Sequence, residues 1–328
     1  MEQRMLGRTG REVGVIGLGT WQLGADWGDV SEPEALATLA AAADSGVTLF
    51  DTADAYGDGL SEQLIGRFLK ERPDAGIVVA TKVGRRVMPQ HPELYRMENL
   101  REWVDRSRSN LGVDRLDLVQ LHCPPTAVYS TDAVFDALDT LVEEERIAAY
   151  GVSVETRQEA LAAIARPGVA SVQLVLNMLR QAPLQQVLPA ARAAGVAIIA
   201  RVPLASGLLS GRYDLTTTFA EHDHRHYNRD GAAFDIGETF AGVPYEIGLE
   251  AVRRLAPLAP AGATMAQFAL RWVIDQPGVS AVIPGARTAR QAQGNAASAC
   301  LPPLSAEVQE AVRHVYDEVV APSVADRW

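Results

Sequence analysis

The sequence predicts a (β/α)8 barrel (TIM barrel) with an N-terminal hairpin plug, a long loop after the seventh strand and an extra C-terminal helix. Eight short apolar runs recur along the 328 residues, mostly about one βα unit apart, with amphipathic helical segments between them. The runs are residues 15–18, 47–50, 77–80, 116–121, 148–152, 169–175, 196–200 and 279–283. Continuous apolar runs are typical of parallel strands that are covered on both faces. Eight such units close into one barrel, so residues 1–328 are expected to form a single domain.

The segments before and between the runs carry their own boundary signals. Residues 5–13 resemble a hairpin that would plug the amino-terminal end of the barrel. Ser31 and Glu34 form a capping box before an alanine-rich helix, and Gly46 then releases the chain into the next strand. Residues 100–111 present one apolar stripe, as expected of a helix that packs on a sheet.

Two stretches depart from the βα repeat. Residues 213–245 are rich in Thr, His, Arg, Asp and Gly and are far longer than an ordinary βα loop. Because they follow the seventh strand, we expect them to cover the catalytic rim of the barrel. Residues 301–305 contain two prolines that break the helical pattern, and a final helix over 306–320 is predicted after them.

Composition excludes several classes of function. The chain has 30 Lys and Arg against 41 Asp and Glu, and the net charge of −11 argues against nucleic acid as a partner. Cys123 and Cys300 are too few for a disulfide framework, which favours a reducing compartment. The sequence has no signal-peptide core and no apolar run of membrane-spanning length, so no membrane partner and a cytoplasmic location are expected. It leaves the oligomeric state open.

Ionisable residues end three consecutive strands of the predicted barrel. Asp51 follows the second run, Lys82 the third and His122 the fourth. The carboxyl ends of barrel strands meet on one rim, where catalytic residues lie. Tyr56 lies a few residues beyond Asp51 on a short turn bounded by Gly57, so its phenol can reach the same rim.

The same residues have the chemistry of a proton-transfer group. A phenol has a pKa of roughly 10; Lys82 is expected to lower that of Tyr56, and Asp51 to keep Lys82 charged. With His122 as a hydrogen-bond donor to a carbonyl oxygen, the group suits carbonyl reduction once a hydride source is present. The structural alternative is that Asp51 and Lys82 are only a buried ion pair and that His122 is a core histidine.

The loops after the seventh and eighth strands lie where barrels commonly bind phosphate. Ser206 and Gly207 offer a hydroxyl and backbone N–H groups to an anion. Arg287 and Arg290 offer planar charge for a second phosphate. A phosphate-bearing cofactor is the expected ligand of this rim.

Three other patterns are interpreted as structural. Residues 17–19 imitate the start of a dinucleotide-binding fingerprint, but the third glycine is misplaced and no helix opens there. His222, His224 and His226 alternate in a polar loop without the acid or cysteine partners of a metal site. Cys123 has no separate base, so it is expected to be a packing thiol.

Taken in chain order, these motifs resemble those of the aldo-keto reductase superfamily over essentially the whole chain. The matching segments are GLGTW at 17–21, FDTADAYG at 50–57, TK at 81–82, LH at 121–122, GVS at 151–153, PLASGLLSG at 203–211 and IPGAR at 283–287, followed by Gln291 and Asn295. The resemblance implies a (β/α)8-barrel oxidoreductase with a tetrad of Asp51, Tyr56, Lys82 and His122. In that tetrad Tyr56 is the proton donor, and the hydride comes from a nicotinamide across the barrel mouth.

The resemblance also implies which residues hold the cofactor. Those expected at the carboxamide are Ser153 and Gln173, those along the pyrophosphate are Ser206, Gly207 and Leu208, and those around the 2′-phosphate and adenine are Arg287, Gln291 and Asn295. Further cofactor contacts are expected at Gly19, Thr20, Trp21, Asp51, Pro203, Leu204 and Gly285. NADPH is therefore the expected cofactor rather than NADH, and no metal is expected.

The chain departs from many members at Val154, where they have Asn, and at Leu176, where they often place an aromatic ring below the nicotinamide. The leading expectation is NADPH-dependent reduction of an aldehyde or ketone. Hydrogen-bonding groups in residues 213–245 suggest a polar, sugar-like substrate, with Trp21 and Trp27 as an apolar wall. The alternatives are a nicotinamide-binding regulatory subunit with little turnover and a metal-dependent barrel hydrolase.

Overall fold

The computed structural model describes residues 1–24, 30–324 and 327, and a sheet of eight parallel strands lies at its centre. Two strands precede the sheet, β1 (Gln3–Met5) and β2 (Glu12–Gly14). The eight are β3 (Leu18–Gly19), β4 (Leu49–Asp51), β5 (Val78–Val83), β6 (Leu118–His122), β7 (Tyr150–Ser153), β8 (Val169–Val175), β9 (Ala197–Arg201) and β10 (Val279–Val282). Each pairs with the next in chain order, as a barrel of βα units requires.

The sheet closes on itself through short parallel bridges between its first and last strands. Ile16 bridges Val282, and Gly19 bridges Gly285. A Cβ atom on Gly19 would lie 3.0 Å from the carbonyl oxygen of Ile283, so glycine permits this close approach. The predicted (β/α)8 barrel is confirmed, although β3 is shorter than residues 15–18 because the residues before Leu18 make only isolated bridges.

Helices cover the outer face of the sheet. In chain order, the described helices are α1 (Glu32–Asp44), α2 (Leu60–Glu71), α3 (Met97–Leu111), α4 (Asp132–Glu143), α5 (Arg157–Ile164), α6 (Val187–Ala194), α7 (His224–Tyr227), α8 (Tyr245–Leu255), α9 (Met265–Ile274), α10 (Ala289–Ala296), α11 (Ala306–Val315) and α12 (Ala321–Val324), of which α7 does not lie on the outer face. The Ser31–Glu34 capping box starts α1 as predicted. Within the described ranges, no helix has the length and apolar character needed to cross a bilayer.

The three additions to the barrel are also present. Strands β1 and β2 form an antiparallel hairpin, and Arg4 ties it to the last barrel strand by donating to the Val279 carbonyl at 2.7 Å. Residues 213–245, called the long segment below, follow β9 and contain α7 and several single turns. The final helical stretch runs from α11 to α12 through one π-helical turn at Tyr316–Val320.

The barrel interior has two layers of opposite character. The lower layer is apolar and packs against the hairpin residues Leu6 and Val13. It consists of Leu49, Val78, Ala80, Leu118, Ala197, Ile199 and Ala281. The upper layer is polar and buried, and consists of Asp51, Lys82, Gln120, His122, Ser153, Gln173 and Arg201. Side chains two residues apart on a strand share a face, so both layers are carried by the same strands. The upper layer lies at the carboxyl ends of the strands, called the mouth below.

Candidate active site

Four side chains predicted to act together meet at the mouth. Lys82 Nζ donates to Asp51 Oδ1 at 2.5 Å and to the carbonyl of Thr52 at 2.9 Å. The same ammonium lies 3.3 Å from the Tyr56 hydroxyl. The rings of Tyr56 and His122 meet edge to face with their centroids 5.8 Å apart. Asp51, Tyr56, Lys82 and His122 therefore form one contiguous group.

The turn after β4 brings Tyr56 back over the barrel. Gly57 has a left-handed φ of 60°, and a Cβ atom there would lie 2.6 Å from the Gly24 carbonyl oxygen. Only glycine fits that conformation and that approach without strain. The Tyr-Gly pair of the sequence is thus the local cause of the phenol's position.

Burial decides the protonation of Tyr56. It raises the pKa of Tyr56 above its ordinary value, and the opposing charge of Lys82 does not fully compensate. Lys82 acts to lower the pKa of Tyr56 as expected, but the loss of water around the buried phenol, which the sequence does not reveal, has the larger effect. Burial also acts to lower the pKa of Lys82, but the charge of Asp51 outweighs it and the pKa is raised. At neutral pH the group holds a protonated phenol beside an ammonium.

His122 is neutral at physiological pH. Burial, together with the charges of Arg85 and Lys82, holds the pKa of His122 well below its ordinary value. Its Nδ1 atom is buried and has no hydrogen-bond partner among the residues that the structure describes. A neutral imidazole has one donor nitrogen, which suits a hydrogen bond to a carbonyl oxygen.

The second carboxylate oxygen of Asp51 is held by amides of the upper layer. Gln173 Nε2 donates to Asp51 Oδ2 at 2.6 Å, and Gln120 Nε2 lies 3.4 Å from the same oxygen. Gln173, predicted for the carboxamide, is engaged here with Asp51. Sequence reasoning missed Gln120, although its place two residues before His122 on one strand was a usable signal.

The loop after β9 has an unusual backbone. Val202, Ser206 and Gly207 all have left-handed φ values of 52°, 53° and 95°. A β-branched residue such as Val202 rarely adopts this conformation, and such strain clusters at ligand sites. The predicted Ser206 hydroxyl is engaged with the long segment: it donates to the Glu238 carbonyl at 3.1 Å and accepts from the Phe240 N–H at 3.1 Å. The Gly207 N–H is engaged as well, because it donates to the Leu204 carbonyl at 2.9 Å.

The loop after β10 is braced by two predicted cofactor residues. Gln291 Oε1 accepts the N–H of Arg287 at 2.8 Å, and Asn295 Nδ2 donates to the Gly285 carbonyl at 3.2 Å. Arg287 is partly exposed and Arg290 is exposed. The amides thus fix the loop that presents Arg287 at the start of α10.

The other predicted cofactor residues lie on loops around the same mouth. Thr20 is fully buried and donates to the Asp51 carbonyl at 2.9 Å, so its side chain belongs to the barrel wall. Ser153 ends β7 and accepts from the Cys123 thiol at 3.3 Å. Gly19 ends β3, and the predicted residues that follow β3, β9 and β10 are Trp21, Pro203, Leu204, Leu208 and Gly285.

A buried charge network at the mouth was not predicted. Arg201 pairs with Glu155 at 2.9 Å and with Glu238 at 3.3 Å, and Arg85 pairs with Glu238 at 2.7 Å. Although burial opposes it, the two arginines hold the pKa of Glu238 below its ordinary range. Burial raises the pKa of Glu155 to about 8, against the lowering effect of Arg201. Arg201 ends β9, so its position after an apolar run was a usable signal. The other three residues lie in loops, where no hydrophobic periodicity indicates which side chains meet.

The three histidines of the long segment and Cys123 are the residues that the sequence analysis interpreted as structural. His224 is buried with Nδ1 at 3.2 Å from Thr239 Oγ1, while His222 and His226 are exposed, so the three do not share a face. Burial raises the pKa of the Cys123 thiol. The Cys123 sulfur and the Glu155 and Glu238 carboxylates lie within 4.8 Å of one another, but both carboxylates are already paired with arginine.

The two positions at which the chain departs from many members of the superfamily, Val154 and Leu176, both lie in the protein interior. Leu176 and Asn177 are fully buried, and the Asn177 side chain bonds to the backbone of Val202 and Leu179. Val154 is also buried. Trp27, proposed as part of an apolar wall, lies outside the described residues.

Comparisons with known proteins bear on the family and on the fold. The sequence profile of the "Aldo/keto reductase family" matches residues 15–317. The chain is 31% identical over 294 residues to the aldo-keto reductase YhdN of Bacillus subtilis, covering 88% of this chain and 85% of the relative. Its structure resembles the glycerol dehydrogenase AKR11B4 from Gluconobacter oxydans with a TM-score of 0.79 and 28% identity, over 99% and 97% of the two chains. It also resembles an aldo-keto reductase from Klebsiella pneumoniae in complex with NADPH, with a TM-score of 0.71 and 25% identity over 96% and 95%.

Proposed function

The chain belongs to the aldo/keto reductase family, and on that premise we propose that it reduces an aldehyde or ketone to an alcohol, with NADPH as the hydride donor. The observation that carries the proposal is the buried Lys82 ammonium, paired with Asp51 at 2.5 Å and 3.3 Å from the Tyr56 hydroxyl. Burying an ion pair costs desolvation free energy, and perturbed ionisable groups of this kind cluster at functional sites.

The loops around the mouth fit a dinucleotide phosphate. The left-handed backbone at Ser206 and Gly207 is of the kind that forms anion-binding concavities in other proteins. Arg287, presented by the braced loop at the start of α10, would bind the 2′-phosphate that distinguishes NADPH from NADH. The Klebsiella relative binds NADPH, which supports this choice. When bound, the cofactor supplies the hydride.

The four grouped residues would handle the proton. Tyr56 and neutral His122 donate hydrogen bonds to the substrate carbonyl oxygen, which gains negative charge as the carbon is reduced. The Tyr56 proton then passes to that oxygen. Lys82 stabilises the resulting phenolate, and Asp51 keeps Lys82 charged and oriented.

Steady-state oxidation of NADPH tests this function against the alternative of a nicotinamide-binding regulatory subunit. The carbonyl panel should include glyceraldehyde, which represents the sugar-like substrate predicted from the sequence, and benzaldehyde, a flat apolar aldehyde. We expect multiple turnovers with the natural chain. Tyr56→Phe should bind NADPH normally but lose roughly a factor of a thousand in turnover, because it lacks the proton. A single stoichiometric oxidation of bound NADPH, without further turnover, would favour the regulatory subunit.

A further inference from the structure

The long segment places an aromatic wall beside the reactive phenol. The Trp21 ring stacks near the Tyr56 ring at a centroid distance of 6.1 Å. Phe234 of the long segment meets Trp21 edge on at 5.9 Å, and His224 lies 5.0 Å from the same ring. Burial lowers the pKa of His224 to about 4, so this ring is uncharged. From Tyr56 outward, the described wall is formed by aromatic rings.

The polar groups of the long segment are largely used to fold it. Asp223 accepts from the backbone N–H of Arg225 at 2.9 Å and also pairs with its guanidinium. Asn228 Oδ1 accepts the N–H groups of Ala233 and Phe234 at 2.8 and 2.9 Å. These groups determine the shape of the segment and are not grouped toward the carbonyl site. The composition that suggested a sugar-like substrate therefore has a structural explanation.

Glu238 anchors the segment at the mouth. It pairs with Arg85 just after β5 and with Arg201 at the end of β9, at 2.7 and 3.3 Å. The Arg85 guanidinium also lies 5.3 Å from the centroid of the Phe234 ring. One carboxylate thus fixes Arg85, and Arg85 supports Phe234 against Trp21.

We propose that Phe234 determines substrate choice by completing, with Trp21, a wall that favours flat, uncharged carbonyl compounds over polyhydroxylated ones, and that Glu238 is the positioning residue for Phe234. The inference rests on the proposed reductase function. A planar substrate ring gains edge or face contacts with such rings, whereas a polyol would lose hydrogen bonds to water without replacing them. The natural chain should therefore reduce benzaldehyde with a kcat/KM at least about tenfold above that of glyceraldehyde.

The test compares Phe234→Leu with Phe219→Leu. Phe219 belongs to the same segment, but its ring packs on Tyr213 at 5.3 Å and on Phe240 at 5.8 Å, within the segment. Phe234→Leu should lower the benzaldehyde-to-glyceraldehyde ratio of kcat/KM about three- to tenfold, the range expected for one aromatic contact. Phe219→Leu should leave the ratio within about twofold.

Glu238→Gln tests the positioning role. It should raise KM for benzaldehyde at least about threefold more than KM for glyceraldehyde, because it loosens the aromatic wall, whereas the lost charge acts on the proton donor in the same way with both aldehydes. Equal changes in KM and in kcat for both aldehydes would assign Glu238 a structural role only. A natural chain that prefers glyceraldehyde, or a ratio that Phe234→Leu does not move, would overturn the substrate inference. Absence of turnover with any carbonyl compound would instead overturn the proposed function.

Discussion

The two layers inside the barrel differ completely although the same strands build them. On β6, Leu118 of the lower layer and Gln120 and His122 of the upper layer follow one another at intervals of two residues. The lower layer is apolar and closed by the hairpin, whereas the upper layer holds ions and amides that bond to one another. The same strands therefore contribute apolar packing at one end and ionisable side chains at the other, two residues apart along each strand.

A loop next to the upper layer also holds a buried carboxyl group whose charged form is unfavourable. Asp54, between Asp51 and Tyr56, is buried, and its Oδ1 atom has no hydrogen-bond partner in the described part of the chain. Burial and the nearby charge of Glu62 raise the pKa of Asp54 to about 7. The lower layer has no ionisable member. The unfavourably buried Asp54 carboxyl thus lies next to the residues of the proposed chemistry.

The largest effect is expected from breaking the upper layer at Lys82. Lys82→Met should lower kcat/KM by about a hundredfold or more, because Tyr56 loses the cation that stabilises its phenolate. It should also lower the free energy of unfolding by about 3–5 kcal/mol, because Asp51 stays buried without its counter-charge. Steady-state kinetics and urea unfolding measure the two losses. A variant with normal turnover would show that the ion pair is only structural.

Leu118→Ala tests whether the lower layer contributes to stability without affecting turnover. Leu118 is fully buried, and its truncation should lower the free energy of unfolding by about 2–5 kcal/mol. At 25 °C the folded fraction should keep kcat/KM within about twofold of the natural chain, since no reacting group is touched. If kcat/KM fell as steeply as in Lys82→Met, the two layers would not be separable.

Asp54→Asn tests the ionisable group by its pH dependence. A folded pKa of about 7, above the ordinary value of roughly 4, means that the natural chain loses stability as the pH rises from about 4 to 7. The variant lacks this loss, so its advantage in unfolding free energy should grow by about 2–3 kcal/mol between pH 5 and pH 8. Urea unfolding at both pH values checks the difference. A pH-independent difference would place the Asp54 carboxyl in contact with water.

The smallest effect is expected outside both layers, at the partly exposed Arg287. Arg287→Ala should weaken NADPH binding about tenfold and NADH binding less than about twofold, because only NADPH carries the 2′-phosphate. Fluorescence titration with each cofactor measures both constants. An equal loss for both cofactors would make Arg287 a structural residue and Arg290 the next candidate.

The sequence predicted the elements and the tetrad because both depend on local patterns. Apolar runs marked the eight strands, and an ionisable residue after three successive runs placed Asp51, Lys82 and His122 on one rim. The start of β3 was missed because isolated bridges, rather than a continuous ladder, pair the residues before Leu18.

The charge network could not be predicted in the same way. Arg85 and Glu238 are 153 positions apart and both lie in loops, where no period reveals a partner. The sequence indicated the lowering effect of Lys82 on the pKa of Tyr56, but not the larger effect of burial, which tertiary packing creates. The substrate prediction treated the polar residues of the long segment as contacts for a substrate, and the sequence could not show that Asp223 and Asn228 bond within the segment.

The way the barrel closes has a consequence for its biosynthesis. The first barrel strand completes its pairing only with residues 282–285, and Arg4 of the hairpin bonds to Val279, 275 positions away. A ribosome therefore releases the hairpin and several strands long before their final partners exist. Contacts of such separation form late and slowly. The chain must reach its active form after translation is nearly finished, so the early strands depend on their own helices for protection from aggregation until then.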